Sequence, residues 1–458
     1  MSLSLFIKEV LLSCKNRLVG GALCRSWLVN IIYGNMKKIV LFISMFCAAV
    51  VATAQTLERV SPESVGLDAT RLQNADVAIN RAVENKDIPG AVLAVVRHGK
   101  MAYIKAYGNK RVYPKTEPMT INTVFDMASC SKSMSTAVSA MTLVEQGKIR
   151  LMDRVDQFIP GFEGWSDENG GKTAIRIIDL LTHTSGLPAY ADANVLKKKY
   201  GAPNRDGLMD YIAHCKRNFK PGSDMTYSCL NFITLQRIIE TVAGCNLRTY
   251  AHKHVFDVLG MKDTDYCPSK ELAKRCAPTE KDADGKCFQG VVHDPLARIM
   301  NGGISGNAGV FTTADDVAIL CAALQNGGEW EGKRVLGPAT VKAMRTVPRA
   351  RAEFGRALGW DVFSPYANNS GDLLSPETYG HTGFTGTSIV IDPVNDISII
   401  LLTNAVHPTN EGSCIALRSY VANAVAGAIY KLDKPSHPLV NEIDKSPCLL
   451  VYSSTCQL

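Results

Sequence analysis

From Leu67 to Asn85 apolar side chains recur at helical spacing, at Leu67, Leu72, Val77, Ile79 and Val83, and the spacing predicts an amphipathic helix. The period then changes. Ala91-Val-Leu-Ala-Val-Val96 and Met101-Ala-Tyr-Ile-Lys-Ala106 are β-prone runs on either side of His98-Gly99-Lys100, which reads as a hairpin. Residues 130–330 are mostly helical in pattern, with joints at Pro160-Gly161, Gly170-Gly171 and Pro221-Gly222. The strand pattern returns in Thr387 to Ile391 and Ile397 to Thr403, which flank Asp392-Pro-Val-Asn-Asp396, and a helix follows from about Cys414 to Tyr430. Residues 433–458, with Pro435, Pro438 and Pro447, read as a tail. Strands at both ends of a helical middle imply an α+β fold: one antiparallel sheet built from both chain ends and flanked by helices, with a mostly helical second lobe. The cleft between the lobes is the expected ligand site.

Composition adds the class, and charge adds a compartment. The chain has 458 residues, 46% hydrophobic and 20% charged, the balance of a globular protein. A net charge of +7 invites a nucleic-acid reading, but residues 1–54 hold six Lys/Arg against Glu9 alone. The remaining 404 residues carry 44 basic and 42 acidic side chains, too even a balance to grip a phosphate backbone, so no nucleic-acid partner is expected. Met36-Lys37-Lys38, the apolar run Ile39 to Val51 and the small residues Ala52-Thr53-Ala54 form a signal-peptide pattern, which makes 1–35 an upstream extension and 36–54 the signal peptide. A catalytic domain over 55–432 is then expected to be periplasmic or secreted. No later stretch approaches the roughly 20 apolar residues of a membrane span, so no transmembrane anchor is expected in the mature chain. Loss of Cys14, Cys24 and Cys47 leaves 11 cysteines, an odd number, of which Cys276 and Cys287 are placed to close a local loop. No Cys/His cluster has zinc-ligand spacing, and neither metal nor cofactor is expected.

The chemistry begins at Ser129-Cys130-Ser131-Lys132, which leads into a helix-compatible stretch. A serine at a helix start with a lysine three residues on puts hydroxyl and amine on one face. Burial would lower the lysine pKa toward neutrality and the helix N-terminus would favour negative charge on the hydroxyl oxygen, giving an activated nucleophile. On its own the pair arises about once by chance in such a chain, and its plain alternative is an N-cap serine beside a solvated lysine. Downstream stand Tyr227-Ser228-Cys229, 98 residues after Ser129, and His381-Thr382-Gly383, 154 residues after Tyr227, with Leu180-Leu-Thr-His183-Thr-Ser-Gly186 and the glycines 302, 303, 306 and 309 between them.

Together these motifs resemble the serine β-lactamase and penicillin-binding protein family, in the class C-like branch that also holds D,D-peptidases and esterases. The resemblance runs from about Val60 to Tyr430. It implies Ser129 as nucleophile, Lys132 as its partner, and Tyr227 as the group that shares a proton with Lys132 and hands it to the leaving group. It further implies an oxyanion hole from the backbone N–H groups of Ser129 and Phe384, and a substrate-binding wall of Cys229, His381, Thr382 and Gly383. The substrate implied is a small ester, amide or peptidoglycan-type compound.

Two positions depart from the pattern. His381 stands where β-lactamases usually carry lysine, and a mostly neutral imidazole weakens the hold on a substrate carboxylate. Cys229 stands where the family commonly has asparagine, and a thiol cannot replace the amide donor. Both favour esterase, acyltransferase or peptidase chemistry over efficient β-lactam hydrolysis, and Cys229 also motivates the rival reading of a receptor that acylates without turnover. His183 is expected to be structural and the glycines 302–309 to form a tight loop at the cleft edge. Cys229 as a second nucleophile is disfavoured, since the sequence sets no histidine beside it.

Overall fold

The computed structural model describes residues 56–431. The two N-terminal segments and the tail expected from the sequence lie outside the described residues. The first helix, α1 (Ala69–Glu84), is capped by Asp68, whose carboxylate accepts the Thr70 and Arg71 N–H groups. The expected hairpin follows as β1 (Gly90–Arg97) and β2 (Lys100–Arg111), and β3 (Glu117–Pro118) adds an edge. β4 (Phe125–Asp126) then leads to a helix whose first part, Lys132–Ala137, is a π-turn and whose second part is α2 (Val138–Glu145). A π-turn directly after a candidate nucleophile departs from the regular helix the pattern implies, and such turns concentrate at functional sites.

The helical middle includes α3 (Cys229–Ala243) and ends with β5 (Phe311–Thr312), which pairs with β4, and α4 (Ala314–Gln325). The chain returns to the sheet through β6 (Tyr379–Thr382), β7 (Ser388–Asp392) and β8 (Ile397–Thr403) and closes on α5 (Ile415–Gly427). The six-stranded sheet runs β6-β7-β8-β1-β2-β3, and β1 pairs antiparallel with β8 from Ala91↔Thr403 to Arg97↔Ile397. The sheet is therefore assembled from both chain ends, as the pattern predicts.

β1 is buried along its whole length because both faces are covered. Ala91, Leu93 and Val95 pack with Leu72 and Ile79 of α1 and Val421 and Val425 of α5. Val92, Ala94 and Val96 join the larger core with Val317 and Leu320 of α4 and the residues of the helical lobe. This explains a continuous apolar run rather than an alternating one. The candidate loop closure fails: Cys276 and Cys287 are free thiols, and Cys276 is buried in a small cluster with Val124, Val292 and Phe311.

Candidate active site

Ser129 is presented by a strained turn. The Asp126 carboxylate, at the end of β4, accepts the Ala128 N–H at 2.9 Å through Oδ1 and the His293 N–H at 2.7 Å through Oδ2. It is fully buried, and burial pushes its carboxyl above the ordinary range against the pull of those two N–H groups. Tying Ala128 to Asp126 holds it at φ 44°, left-handed for a non-glycine residue, a conformation that costs roughly 1–2 kcal/mol. The chain turns sharply there and Ser129 lines the cavity.

Lys132 is fully buried and its Nζ donates to Ser129 Oγ at 2.9 Å, to the Asn307 carbonyl at 2.9 Å and to Cys229 Sγ at 3.5 Å. Three acceptors satisfy the three protons of an ammonium. Burial favours the neutral amine, but the adjacent Cys229 and Tyr227 favour the cation, and the balance lies above the ordinary lysine value. This corrects the expectation of an amine lowered toward neutrality. Tyr227 shows the complementary shift: burial pushes its phenol up and outweighs the downward pull of Lys132, whose Nζ is 5.0 Å from the ring centre. The resting pair is thus an ammonium beside a neutral phenol. The Tyr227 hydroxyl is buried without a well-formed hydrogen bond.

His183 holds Tyr227 in place. Its Nδ1 accepts the Ser228 N–H at 3.0 Å and the Asn231 amide at 3.2 Å, and its ring lies 4.4 Å from that of Tyr227, tilted by 33°. Burial keeps it neutral, well below its ordinary pKa. It is structural, as the sequence implies.

The third wall is β6, the edge of the sheet. His381 Nδ1 lies 2.8 Å from the Thr382 carbonyl, which can only accept, so Nδ1 carries the proton and Nε2 is a lone pair. Burial first, then the Arg356 and Lys132 cations, drive its pKa well below the ordinary histidine value. Gly383 follows because a Cβ there would stand 2.1 Å from Thr387 Oγ1 and 2.6 Å from the Met127 carbonyl. That close approach lets Thr385 Oγ1 donate to the Asp126 carbonyl at 2.7 Å and Thr387 Oγ1 to the Met127 carbonyl at 3.0 Å, stitching the 383–387 loop to the Ser129 turn. The N–H groups of Ser129 and Phe384 donate to no described residue, and both residues line one cavity of about 380 Å³.

Tyr227, His381, Thr382 and Gly383 line the same cavity, whereas Cys229 is engaged by Lys132 and is not part of its lining. Where the sequence pattern implies a substrate contact at 229, the structure gives a lysine contact. Three site residues escaped sequence reasoning: Asp126, Asn307 and Arg356. Asn307 sits in the glycine loop, which packs against α3, where a Cβ at Gly306 would fall 2.0 Å from the Phe232 carbonyl, and brings its carbonyl to Lys132. The Gly306-Asn307-Ala308-Gly309 run was the available signal, whereas Arg356 is marked by nothing local in sequence.

Residues 75–422 match the β-lactamase family. A protein of Escherichia coli (strain K12), provisionally named a D-alanyl-D-alanine carboxypeptidase, is 31% identical over 401 residues, which cover 81% of this chain and 92% of that protein. Among solved structures, EstCE1, described as a hydrolase with promiscuous acyltransferase activity, superposes with a TM-score of 0.64 at 26% identity, covering 78% of this chain and 99% of EstCE1. A class C β-lactamase shares the fold with a TM-score of 0.62 at 21% identity, over 80% of this chain and 98% of its own. A family match across most of the chain, a relative of nearly equal span and a shared fold lead to one conclusion: the chain belongs to the β-lactamase family of serine hydrolases and acyl-transfer enzymes.

Proposed function

We propose that the chain is an exported enzyme that forms an acyl-enzyme on Ser129 and passes the acyl group to water or a small alcohol or amine. The observation that carries this is the 2.9 Å contact from Lys132 Nζ to Ser129 Oγ at a cavity wall where the N–H groups of Ser129 and Phe384 are free. Ser129 Oγ attacks the substrate carbonyl carbon, its proton passes to the phenolate form of Tyr227, and the carbonyl oxygen becomes an oxyanion facing those two N–H groups. Lys132 stays protonated and compensates the phenolate. Collapse of the tetrahedral species expels the leaving group, which takes the proton from Tyr227, and an incoming acceptor repeats the sequence in reverse.

Esters fit this wall better than amides. Cys229 offers no amide donor and is occupied by Lys132, while an ester's better leaving group asks less of the proton donor. The named carboxypeptidase relative supports peptides ending in D-Ala-D-Ala as a further substrate class, and EstCE1 supports simple esters. The apolar run at 39–51 after Lys37-Lys38 supports export to the periplasm or medium, and among the described residues no helix is long and apolar enough to cross a membrane.

Intact-mass spectrometry of the 55–458 protein after exposure to a short-chain ester, a D-Ala-D-Ala peptide and a penicillin tests the proposal. Adducts that form and decay with the ester or peptide are expected. A penicillin adduct that persists, with no turnover of any substrate, would instead make the protein a receptor. Absence of every adduct would contradict acyl transfer.

A further inference from the structure

Phe384 offers its N–H to the proposed oxyanion hole, and its aromatic side chain has no part in the proposed acyl transfer. The residues around it are anchored. The Gly383 N–H donates to the Thr387 carbonyl at 2.8 Å, the Gly386 N–H to the Gly383 carbonyl at 3.0 Å, and Thr385 Oγ1 to the Asp126 carbonyl at 2.7 Å. Phe384 has no such tie: its N–H donates to no described residue and it is 63% exposed. Among the described residues one ring meets its own, that of His293, 5.7 Å away centre to centre and within 18° of parallel. An N–H that stabilises developing charge has to be in place before the reaction, so whatever holds Phe384 bears on the chemistry.

His293 is itself fixed from three sides. Its backbone N–H donates to Asp126 Oδ2 at 2.7 Å, while Asp126 Oδ1 takes the N–H of Ala128, the residue before Ser129, at 2.9 Å. One buried carboxylate therefore ties the His293 backbone to the turn that carries the other oxyanion N–H. Arg298 Nη1 holds the segment from behind, donating to the Val292 carbonyl at 2.9 Å and to the His293 carbonyl. The imidazole is oriented by Glu280, whose Oε2 lies 3.1 Å from Nε2; a carboxylate only accepts, so Nε2 carries the proton. Glu280 is anchored in turn, its carbonyl accepting the Phe288 N–H at 3.1 Å. The ring that Phe384 rests on is thus 8% exposed and held by both its backbone and its far edge.

We infer that His293 is a positioning residue: its ring, held by Asp126 and Glu280, seats Phe384 and so keeps the Phe384 N–H in register with that of Ser129. The inference rests on the acyl-transfer reading and adds to that site a residue that lies outside every motif marked in the sequence.

4-Nitrophenyl butyrate and its thiono counterpart, with sulfur in place of the carbonyl oxygen, test it, because sulfur accepts weakly and gains less from an oxyanion hole. In His293→Ala the ratio of kcat/KM for the oxo over the thiono ester should fall about 10-fold, less than the roughly 100- to 1000-fold of losing a donor outright. KM should stay within about twofold, since the hole acts on the transition state. His293→Phe keeps the ring and should recover most of the ratio. Phe384→Ala removes the other partner at an exposed position, keeps the N–H, and should lower the ratio as far as His293→Ala does, with no further loss when the two are combined. A native ratio in Phe384→Ala, or His293→Phe as impaired as His293→Ala, would overturn the inference. Hydrogen exchange read by mass spectrometry needs no turnover: the peptide containing 383–387 should exchange faster in His293→Ala and Phe384→Ala than in native protein or His293→Phe. Equal exchange in all four would overturn the inference, whereas the expected exchange without turnover of either ester would count against acyl transfer alone.

Discussion

At the scale of single residues, the site is a set of protonation states imposed by burial. Lys132 is an ammonium with three acceptors, Tyr227 a phenol above its ordinary range, and His381 a neutral imidazole. Acyl transfer needs Tyr227 without its proton, so the fraction of competent enzyme grows as pH rises. The kcat/KM profile for a neutral ester should therefore climb through neutrality and still be rising near pH 9. His381 loses its proton well below the usual histidine range, so no limb near pH 6.5 should belong to it, and His381→Gln should leave the profile's shape intact. A profile that falls above pH 8 in stably folded protein would contradict this assignment. Lys132→Met removes the cation that compensates the phenolate and should lower kcat/KM by about a thousandfold. Its thermal midpoint should fall, because the folded state favours the ammonium over the ordinary lysine and the buried Asn307 carbonyl loses its donor. The sequence made Ser129, Lys132, Tyr227 and His381 legible as motif positions. It did not disclose their protonation, because the balance at Lys132 depends on Cys229 and Tyr227, about a hundred positions away.

At the scale of elements, Ser129 and Lys132 are each met by a loop that glycine allows to lie close to its neighbour. The 383–387 loop reaches the Ser129 turn only because Gly383 has no Cβ, and the 302–309 loop rests on the Phe232 carbonyl only because Gly306 has none. Gly306→Ala places a methyl against backbone that cannot swing away. It should destabilise the protein by about 1–3 kcal/mol and, by displacing the Asn307 carbonyl from Lys132, lower kcat at temperatures where the fold persists. Thermal melts beside steady-state rates would check both, and an unaffected kcat would show that Asn307 does not set the lysine. The two hairpins were readable because β-prone runs bracket their turns. The 355–364 hairpin was not: its two strands are single bridges, and the Arg356–Asp361 pair that defines it has no periodic signature.

At the scale of the whole molecule, the sheet joins the first and last described parts of the chain, and the helical lobe between them supplies Ser129, Lys132 and Tyr227 opposite β6. The architecture was legible because both ends carry strand patterns and the middle does not. The cavity was not, since its wall draws on segments separated by more than two hundred residues. The net charge also finds its place at this scale: most of the excess lies in residues 1–54, outside the described domain, and the rest of the chain is nearly neutral. The central claim is that this body works through Ser129. Steady-state hydrolysis of a chromogenic short-chain ester, paired with fluorophosphonate labelling, tests it on native and Ser129→Ala protein. The account predicts turnover and a single label on the native chain and loss of both in the variant; turnover that survives Ser129→Ala would contradict it.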